Sequence, residues 1–176
     1  DAAARVFKHF VHWGYWEVPA SADRDPAGFS AAMERLNAVL LRAADLGDGQ
    51  AVLDAGCGFG GTLAAVDAAH GGMRLTGLNI DPRQLAVARE TVVCRPGNSV
   101  SFVVGDATAM PLPSGAFERV LAVECIFHFP SRLAFLREAA RVLKPGGRLV
   151  LSDFVPRDPP GLLGRGSIRC RHLDQV

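Results

Sequence analysis

A cluster of glycines directly after a short apolar run constrains the fold of this chain more than any other feature. The apolar run covers residues 51–53, and glycine occupies positions 56, 58, 60 and 61. A buried strand that ends in such a cluster can turn sharply into a helix, because glycine adopts left-handed backbone conformations without steric cost. A ligand can also lie directly against this backbone, since no Cβ atom is in the way. The segment therefore predicts a strand, a ligand-binding turn and a helix, with a tight turn that binds nothing as the alternative.

Short apolar runs alternate with helical patterns along the rest of the chain, which is typical of a parallel α/β sheet. Helices are predicted to begin where proline follows Asp25 and Asp81, and where Ser131 precedes an apolar periodicity, because these residues cap helices. The pattern predicts a doubly wound, Rossmann-like and mostly parallel sheet with flanking helices. A tight turn is expected at 144–147. The strands are expected at residues 51–55, 74–80, 100–104, 119–124 and 148–153.

Composition and charge exclude several classes of protein. The 176 residues are 49% hydrophobic and 21% charged, which is too apolar for a disordered chain. A net charge of +1 argues against nucleic acid as the main partner, because nucleic-acid binding usually demands a clustered basic excess. No apolar run approaches the ~18–20 residues of a membrane span, and the first residues do not form a secretory signal. The four scattered cysteines lack the spacing of zinc ligands, so we expect reduced thiols, no metal and a cytoplasmic location.

The chain divides into three segments by its patterning. Residues 1–47 are expected to form an N-terminal helical lid or substrate segment, and residues 48–155 the ligand-binding α/β core. Residues 156–176 are rich in proline and glycine and are expected to be an irregular tail. This tail is too short for a helix and further strands of ~5–6 residues each. A sheet that ended at the fifth strand would expose an edge, at which we expect a homo-oligomer to form.

Three sequence motifs occur in order around the predicted strands. They are DAGCGFG at 54–60, GDA at 105–107 and LKPGG at 143–147. Together they resemble class I S-adenosylmethionine-dependent methyltransferases, whose members usually continue after the fifth strand with a helix and an antiparallel strand pair. The stretch HWGYW at 12–16 is similar to the N-terminal segments of small-molecule members, such as those for sugars, sterols, tocopherols or polyketide natural products. The resemblance implies methyl transfer from S-adenosylmethionine to an oxygen, nitrogen or carbon atom of a small molecule.

The resemblance also implies which residues bind the cofactor. At its methionine end they are Tyr15, Asp54, Ala55, Gly56, Cys57, Gly58 and Glu124, and at its adenosine end they are Asn79, Ile80, Gln84, Asp106 and Ala107. Asn79 departs from the family pattern, in which an acidic residue accepts both ribose hydroxyl protons, because an amide accepts one hydrogen bond and donates another. The alternatives are a helix cap for Asp106, a solvated strand end for Glu124 and a turn residue for Asn79.

Methyl transfer to a hydroxyl group requires a base, and the sequence offers few candidates. His128 and Asp153 are predicted to act on the acceptor, and His9 and His12 are further candidates. In O-methylating relatives a histidine often stands at the position that Phe127 occupies here, so the resemblance implies slow or absent turnover on hydroxyl acceptors. A structural histidine is the alternative interpretation of His128.

Two other functions fit part of the sequence. The spacing of Gly56, Gly58 and Gly61 also satisfies the fingerprint of nicotinamide- or flavin-dependent oxidoreductases. Asn79 argues against that function, because the dinucleotide-binding pattern has an acidic residue at the end of the second strand. The other alternative is a truncated or non-catalytic cofactor-binding module, since residues 156–176 are expected to be too short for the strands that usually complete the family's sheet.

Overall fold

A five-stranded sheet, in which every pair of neighbouring strands is parallel, forms the centre of the molecule. The computed structural model describes residues 10–17 and 26–154. The strands are β1 (Ala51–Ala55), β2 (Arg74–Asn79), β3 (Ser99–Val104), β4 (Phe117–Val123) and β5 (Leu143–Ser152). Their order across the sheet is β3-β2-β1-β4-β5, so the direction of winding reverses between β1 and β4. The doubly wound, Rossmann-like fold expected from the sequence is confirmed.

Helices flank this sheet, and their starts follow the capping residues. Within the described ranges the helices are α1 (Pro26–Ala44), α2 (Gly61–Ala69), α3 (Pro82–Thr91) and α4 (Arg132–Val142), with a 3₁₀ turn at Ile126–His128. The side chain of Asp81 caps α3 and that of Ser131 caps α4, which confirms two predicted helix starts, whereas Asp25 lies outside the described residues. Among the helices of residues 10–17 and 26–154, none has the length and apolar character that crossing a membrane requires.

Neighbouring residues of β1 point to opposite faces of the sheet and belong to two hydrophobic clusters. Val52 belongs to the cluster that contains Leu40 of α1 and Leu63 of α2, and Leu53 belongs to the cluster that contains Phe135 of α4. All five side chains are buried. Since burial of one such side chain contributes ~1.5–3 kcal/mol, these clusters fix the strands, and with them the positions of the residues at the strand ends.

Strand β5 begins earlier than the sequence predicts. The motif at 144–147 is expected to be a tight turn before a strand at 148, but β5 already starts at Leu143. Phe117 pairs with Leu143 and Arg119 with Arg148, so an irregularity interrupts the pairing of β4 and β5. Gly146, with φ of +74°, allows the chain to loop out there. The expected start of this strand was wrong because Leu143 already pairs with Phe117 of β4.

Candidate functional site

A cavity of about 400 Å³ lies at the carboxyl ends of β1, β2 and β4. Open parallel sheets bind ligands at this point, where the strand order reverses, and small-molecule sites have volumes of ~300–1,000 Å³. Most of the residues predicted from the sequence line this cavity: Asp54, Gly56, Cys57, Gly58, Asn79, Ile80, Gln84, Asp106, Ala107, Glu124 and His128. The fold thus brings residues of separate motifs together around one space.

Three of the predicted residues do not line the cavity, and they are Tyr15, Ala55 and Asp153. Tyr15 packs against the cluster around α1, and Ala55 is fully buried within β1. The carboxylate of Asp153 pairs with Arg132, whose Nε lies 2.6 Å from Oδ2. Among the described residues, Asp153 therefore forms no hydrogen bond with a base at the cavity wall.

The loop after β1 turns through three glycines with left-handed backbone. The φ angle is +84° at Gly56, +54° at Gly58 and +82° at Gly60, a region that other residues occupy only with strain. A Cβ atom at Gly56 would lie 2.8 Å from Sγ of Cys125, and one at Gly58 would lie 3.0 Å from Cγ2 of Val11. The backbone N–H of Gly56 donates to the carbonyl of Leu78, which fastens the loop to β2. Packing inside the protein therefore demands these glycines, in addition to the ligand access for which the sequence predicts them.

Among the described residues, the charged side chains that line the cavity are carboxylic acids, apart from two histidines. Asp54, Asp81, Asp106 and Glu124 line it, and no lysine or arginine does. Burial raises the pKa of Asp54 to about 7. Burial also raises the pKa of Glu124, although a hydrogen bond from the backbone of Trp13 opposes this shift. A ligand with positive charge is therefore favoured, because it stabilises the ionised forms of these carboxylic acids.

Asn79 and Gln84 form one hydrogen-bonded unit on the cavity wall. Oδ1 of Asn79 accepts from the backbone N–H of Asp81 at 3.1 Å, and Nδ2 of Asn79 donates to Oε1 of Gln84 at 2.8 Å. Because the N–H of Asp81 can only donate, the oxygen of Asn79 must face it and the amide nitrogen must face Gln84. The NH₂ group of Gln84 is left without a protein partner among the described residues, as a donor for a ligand.

Asp106 follows β3 in a turn from which no helix begins. Its Oδ1 accepts hydrogen bonds from the backbone N–H of Thr108 at 2.7 Å and from the Thr108 hydroxyl at 2.8 Å. Both bonds reach the same oxygen, so Oδ2 has no partner within the described ranges. The side chain is thus fixed in orientation and retains an acceptor for a ligand, and the alternative of a helix cap does not apply.

The segment of residues 10–17 lies across the carboxyl ends of β1 and β4. Val11 approaches the loop at Gly58, and the backbone N–H of Trp13 donates to Oε2 of Glu124 at 2.6 Å. Glu124 has φ of +48°, which costs free energy for a residue with a side chain and is typical of constrained functional positions. The sequence predicts a lid or substrate segment within residues 1–47, but nothing in the sequence indicates that Val11 and Phe10 line the cavity.

His128 ends the 3₁₀ turn after β4 and is exposed at the cavity wall. Its ring centroid lies 4.2 Å from that of Phe127, and Phe127 in turn contacts Phe154 at 4.9 Å. The imidazole forms no hydrogen bond with another described residue. Packing against Phe127 therefore positions the ring.

Comparison with protein families decides what kind of domain this is. A family model described as a methyltransferase domain matches residues 53–151, which run from β1 to β5 and include all three motifs. The chain belongs to this methyltransferase family. Membership also confirms S-adenosylmethionine, which the resemblance implies, as the cofactor of the domain.

Similar proteins include methyltransferases of several organisms. Methyltransferase GfsG of Streptomyces halstedii is 39% identical over 153 residues, which are 86% of this chain and 53% of GfsG. The 27-O-demethylrifamycin SV methyltransferase of Amycolatopsis mediterranei is 34% identical over 174 residues, which are 98% of this chain and 61% of that protein. The solved structure of the [4+2]-cyclase SpnF, 29% identical, superposes with a TM-score of 0.76 over 90% of this chain and 57% of SpnF. This methyltransferase chain spans little more than half the length of these relatives.

Proposed function

We propose that this chain binds S-adenosylmethionine in the cavity and transfers its methyl group to a small organic acceptor. The observation that carries the proposal is a cavity at the strand-order reversal that is lined by four carboxyl side chains and, among the described residues, by no lysine or arginine. Asp81 pairs with Arg83, which does not line the cavity, whereas Asp54, Asp106 and Glu124 form no salt bridge with a described lysine or arginine. S-adenosylmethionine carries a sulfonium and an ammonium group, so it matches these carboxylic acids. The pyrophosphate of a dinucleotide would instead meet several carboxyl groups in a lining without a described lysine or arginine, which argues against the oxidoreductase alternative.

The methionine end of the cofactor is proposed to lie at the loop after β1. Gly56, Cys57 and Gly58 would bound it, with Asp54 below the loop and Glu124 at the end of β4. The ionised carboxylate of Asp54 stabilises a nearby cation, and binding of that cation in turn lowers the raised pKa of Asp54. Ala55 would not contact the cofactor and would contribute only through its position in β1.

The adenosine end is proposed to lie along β2 and β3. The free NH₂ group of Gln84, oriented by Asn79, would donate to a ribose hydroxyl. Oδ2 of Asp106 would accept from the adenine amino group, and the backbone N–H of Ala107 would donate to a ring nitrogen. Ile80 is 70% exposed at the cavity and would cover one face of the adenine ring.

The bound cofactor supplies a methyl group already activated by the sulfonium, so the protein chiefly aligns the acceptor and excludes water. His128 is the proposed proton acceptor for a hydroxyl substrate, because it is the exposed histidine of the cavity wall. Asp153 binds Arg132 and does not support His128. This arrangement supports the expectation of slow turnover on hydroxyl acceptors.

Location and partners belong to the same proposal. The near-neutral charge supports a protein that works without nucleic acid. The described cysteines Cys57, Cys94 and Cys125 are free thiols, as in the cytoplasm.

The relative that acts on a rifamycin supports a natural-product acceptor. Strands β3 and β5 are the outer strands of the described sheet and could pair between copies, which light scattering of the chain in solution would detect.

Calorimetric titration with S-adenosylhomocysteine tests the proposed function. We expect the parent chain to bind and Gly58→Val to abolish binding. Asp106→Ala should weaken binding by about 1–3 kcal/mol, because the buried adenine amino group loses its acceptor. Gly58→Val would also displace Val11, so the free energy of unfolding of this variant must be measured together with its affinity. His70→Gln, at the end of α2 and not among the residues that line the cavity, is the matched control.

The same titration separates the alternatives. Stabilisation of the parent chain by NAD but not by S-adenosylhomocysteine would contradict the proposal and favour the oxidoreductase. Equal affinity of the parent chain and both variants would show that the loop and Asp106 serve the fold alone.

A further inference from the structure

The imidazole of His12 is held in one tautomer at the cavity wall. Its Nδ1 lies 2.8 Å from the carbonyl oxygen of Trp13, and a carbonyl can only accept, so Nδ1 must carry the hydrogen. Burial lowers the pKa of His12, which favours the neutral ring. In the neutral ring Nε2 then carries a lone pair and acts as a hydrogen-bond acceptor.

That acceptor has no partner among the residues that the structure describes. His12 is 7% exposed, and its Nε2 is buried without a hydrogen bond to any described residue. A buried polar atom without a partner is costly, and native structures usually satisfy it. Because His12 is among the residues that line the cavity, a donor of a ligand bound there is the candidate partner for Nε2.

The neighbours of His12 show which end of the ligand this is. Val11 lies against the loop at Gly58, and Trp13 binds Glu124 beyond β4, so His12 lies between these two points. The groups proposed to hold adenosine follow β2 and β3 instead. His12 is therefore at the methionine end, where the ammonium group is the donor that the cofactor offers.

We propose that Nε2 of His12 accepts a hydrogen bond from the ammonium group of the methionine portion of S-adenosylmethionine. This inference rests on the proposed function. It makes His12 a specificity residue for the amino-acid end of the cofactor, beside the carboxyl groups of Asp54 and Glu124. The backbone carbonyl of Trp13 keeps the lone pair available by holding the hydrogen on Nδ1.

Two ligands and two variants of the whole chain test this role by calorimetry. S-adenosylhomocysteine has the amino-acid end, and 5′-methylthioadenosine lacks it. His12→Phe keeps a ring against Phe10, whose centroid is 4.9 Å away, but removes the acceptor. We expect His12→Phe to weaken S-adenosylhomocysteine binding about 10-fold to 100-fold, as for a lost hydrogen bond to a charged group, and to leave methylthioadenosine binding unchanged. His12→Gln restores an acceptor and should recover part of the affinity.

Further ligands and controls separate the possible outcomes. Decarboxylated S-adenosylhomocysteine retains the ammonium group, so His12→Phe should weaken it as well, whereas His70→Gln should change no affinity. An equal loss for S-adenosylhomocysteine and 5′-methylthioadenosine, or no loss for S-adenosylhomocysteine, would overturn the inference and leave His12 a structural residue. Failure of the parent chain to bind S-adenosylhomocysteine would overturn the proposed function itself.

Discussion

At the scale of single residues, the ribose end of the cavity depends on which atoms Asn79 and Gln84 present. Oδ1 of Asn79 accepts from the backbone of Asp81, and Oε1 of Gln84 accepts from Asn79. The pair therefore offers a ligand the donor NH₂ of Gln84 rather than the carboxylate that the family pattern has at this position. A ribose hydroxyl oxygen can accept from that donor, but position 79 offers no carboxylate to the hydroxyl protons.

Asn79→Asp should therefore tighten the binding of S-adenosylhomocysteine. A carboxylate can accept from a ribose hydroxyl and from a reoriented Gln84, and we expect a gain of about 1 kcal/mol, or about fivefold in affinity by calorimetry. Gln84→Leu in the parent chain should weaken binding, because the donor is lost. Weaker binding by Asn79→Asp would mean that the wall rejects a further charge beside Asp81 and that the proposed ribose contact is wrong.

The sequence predicted the positions of these residues better than their partners. Motif spacing places Asp54, Asn79 and Asp106 at strand ends, and strand ends meet at one edge of a parallel sheet. The partner of Asp153 is Arg132, which lies in another element and follows from no local pattern. Tyr15 belongs to the same predicted lid as His12, but only the packed structure shows that its ring lies against the α1 cluster.

At the scale of elements, helix α4 holds the loop that carries Asp106. Arg141 of α4 donates to the carbonyl oxygens of Met110 and Leu112, and Glu138 accepts from the backbone N–H of Met110. Arg141 and Glu138 also pair with each other. The turn after β3 is thus fixed by a helix that makes no direct contribution to the cavity wall.

Arg141→Met should loosen this loop. Two carbonyl groups lose their donors and Glu138 loses its partner, so we expect the denaturant midpoint of unfolding to fall, by a modest amount because Arg141 is one-third exposed. S-adenosylhomocysteine should also bind more weakly. Arg137→Met, on an exposed position of the same helix, is the control for denaturant unfolding and calorimetry. Equal effects of the two variants would contradict a role of Arg141 in the loop.

Strand β5 shows why element boundaries were harder to predict than element types. The helix starts at Asp81 and Ser131 followed from local capping chemistry, which acts within a few residues. The glycine and proline of 144–147 gave an equally local signal for a turn. Pairing of Leu143 with Phe117, a contact between distant parts of the chain, extends the strand through that turn.

At the scale of the whole molecule, burial of Asp54 couples stability to pH. Its pKa is raised from 3.8 to about 7, so between these values the folded chain binds a proton that the unfolded chain does not. The free energy of unfolding therefore falls as pH rises through this window and is constant above it. This is the opposite of an ion-paired carboxylate, whose contribution is lost as pH falls.

Denaturant unfolding of the parent chain and of Asp54→Asn at two pH values measures this coupling. From about pH 5 to about pH 8, the parent should lose roughly 2–3 kcal/mol more than the variant, whose amide does not ionise. Saturating S-adenosylhomocysteine should shrink the difference, because its ammonium group favours the ionised carboxylate and lowers the pKa of Asp54. The same pH dependence in both chains would show that Asp54 is ionised throughout. The cavity would then already stabilise a carboxylate without its ligand.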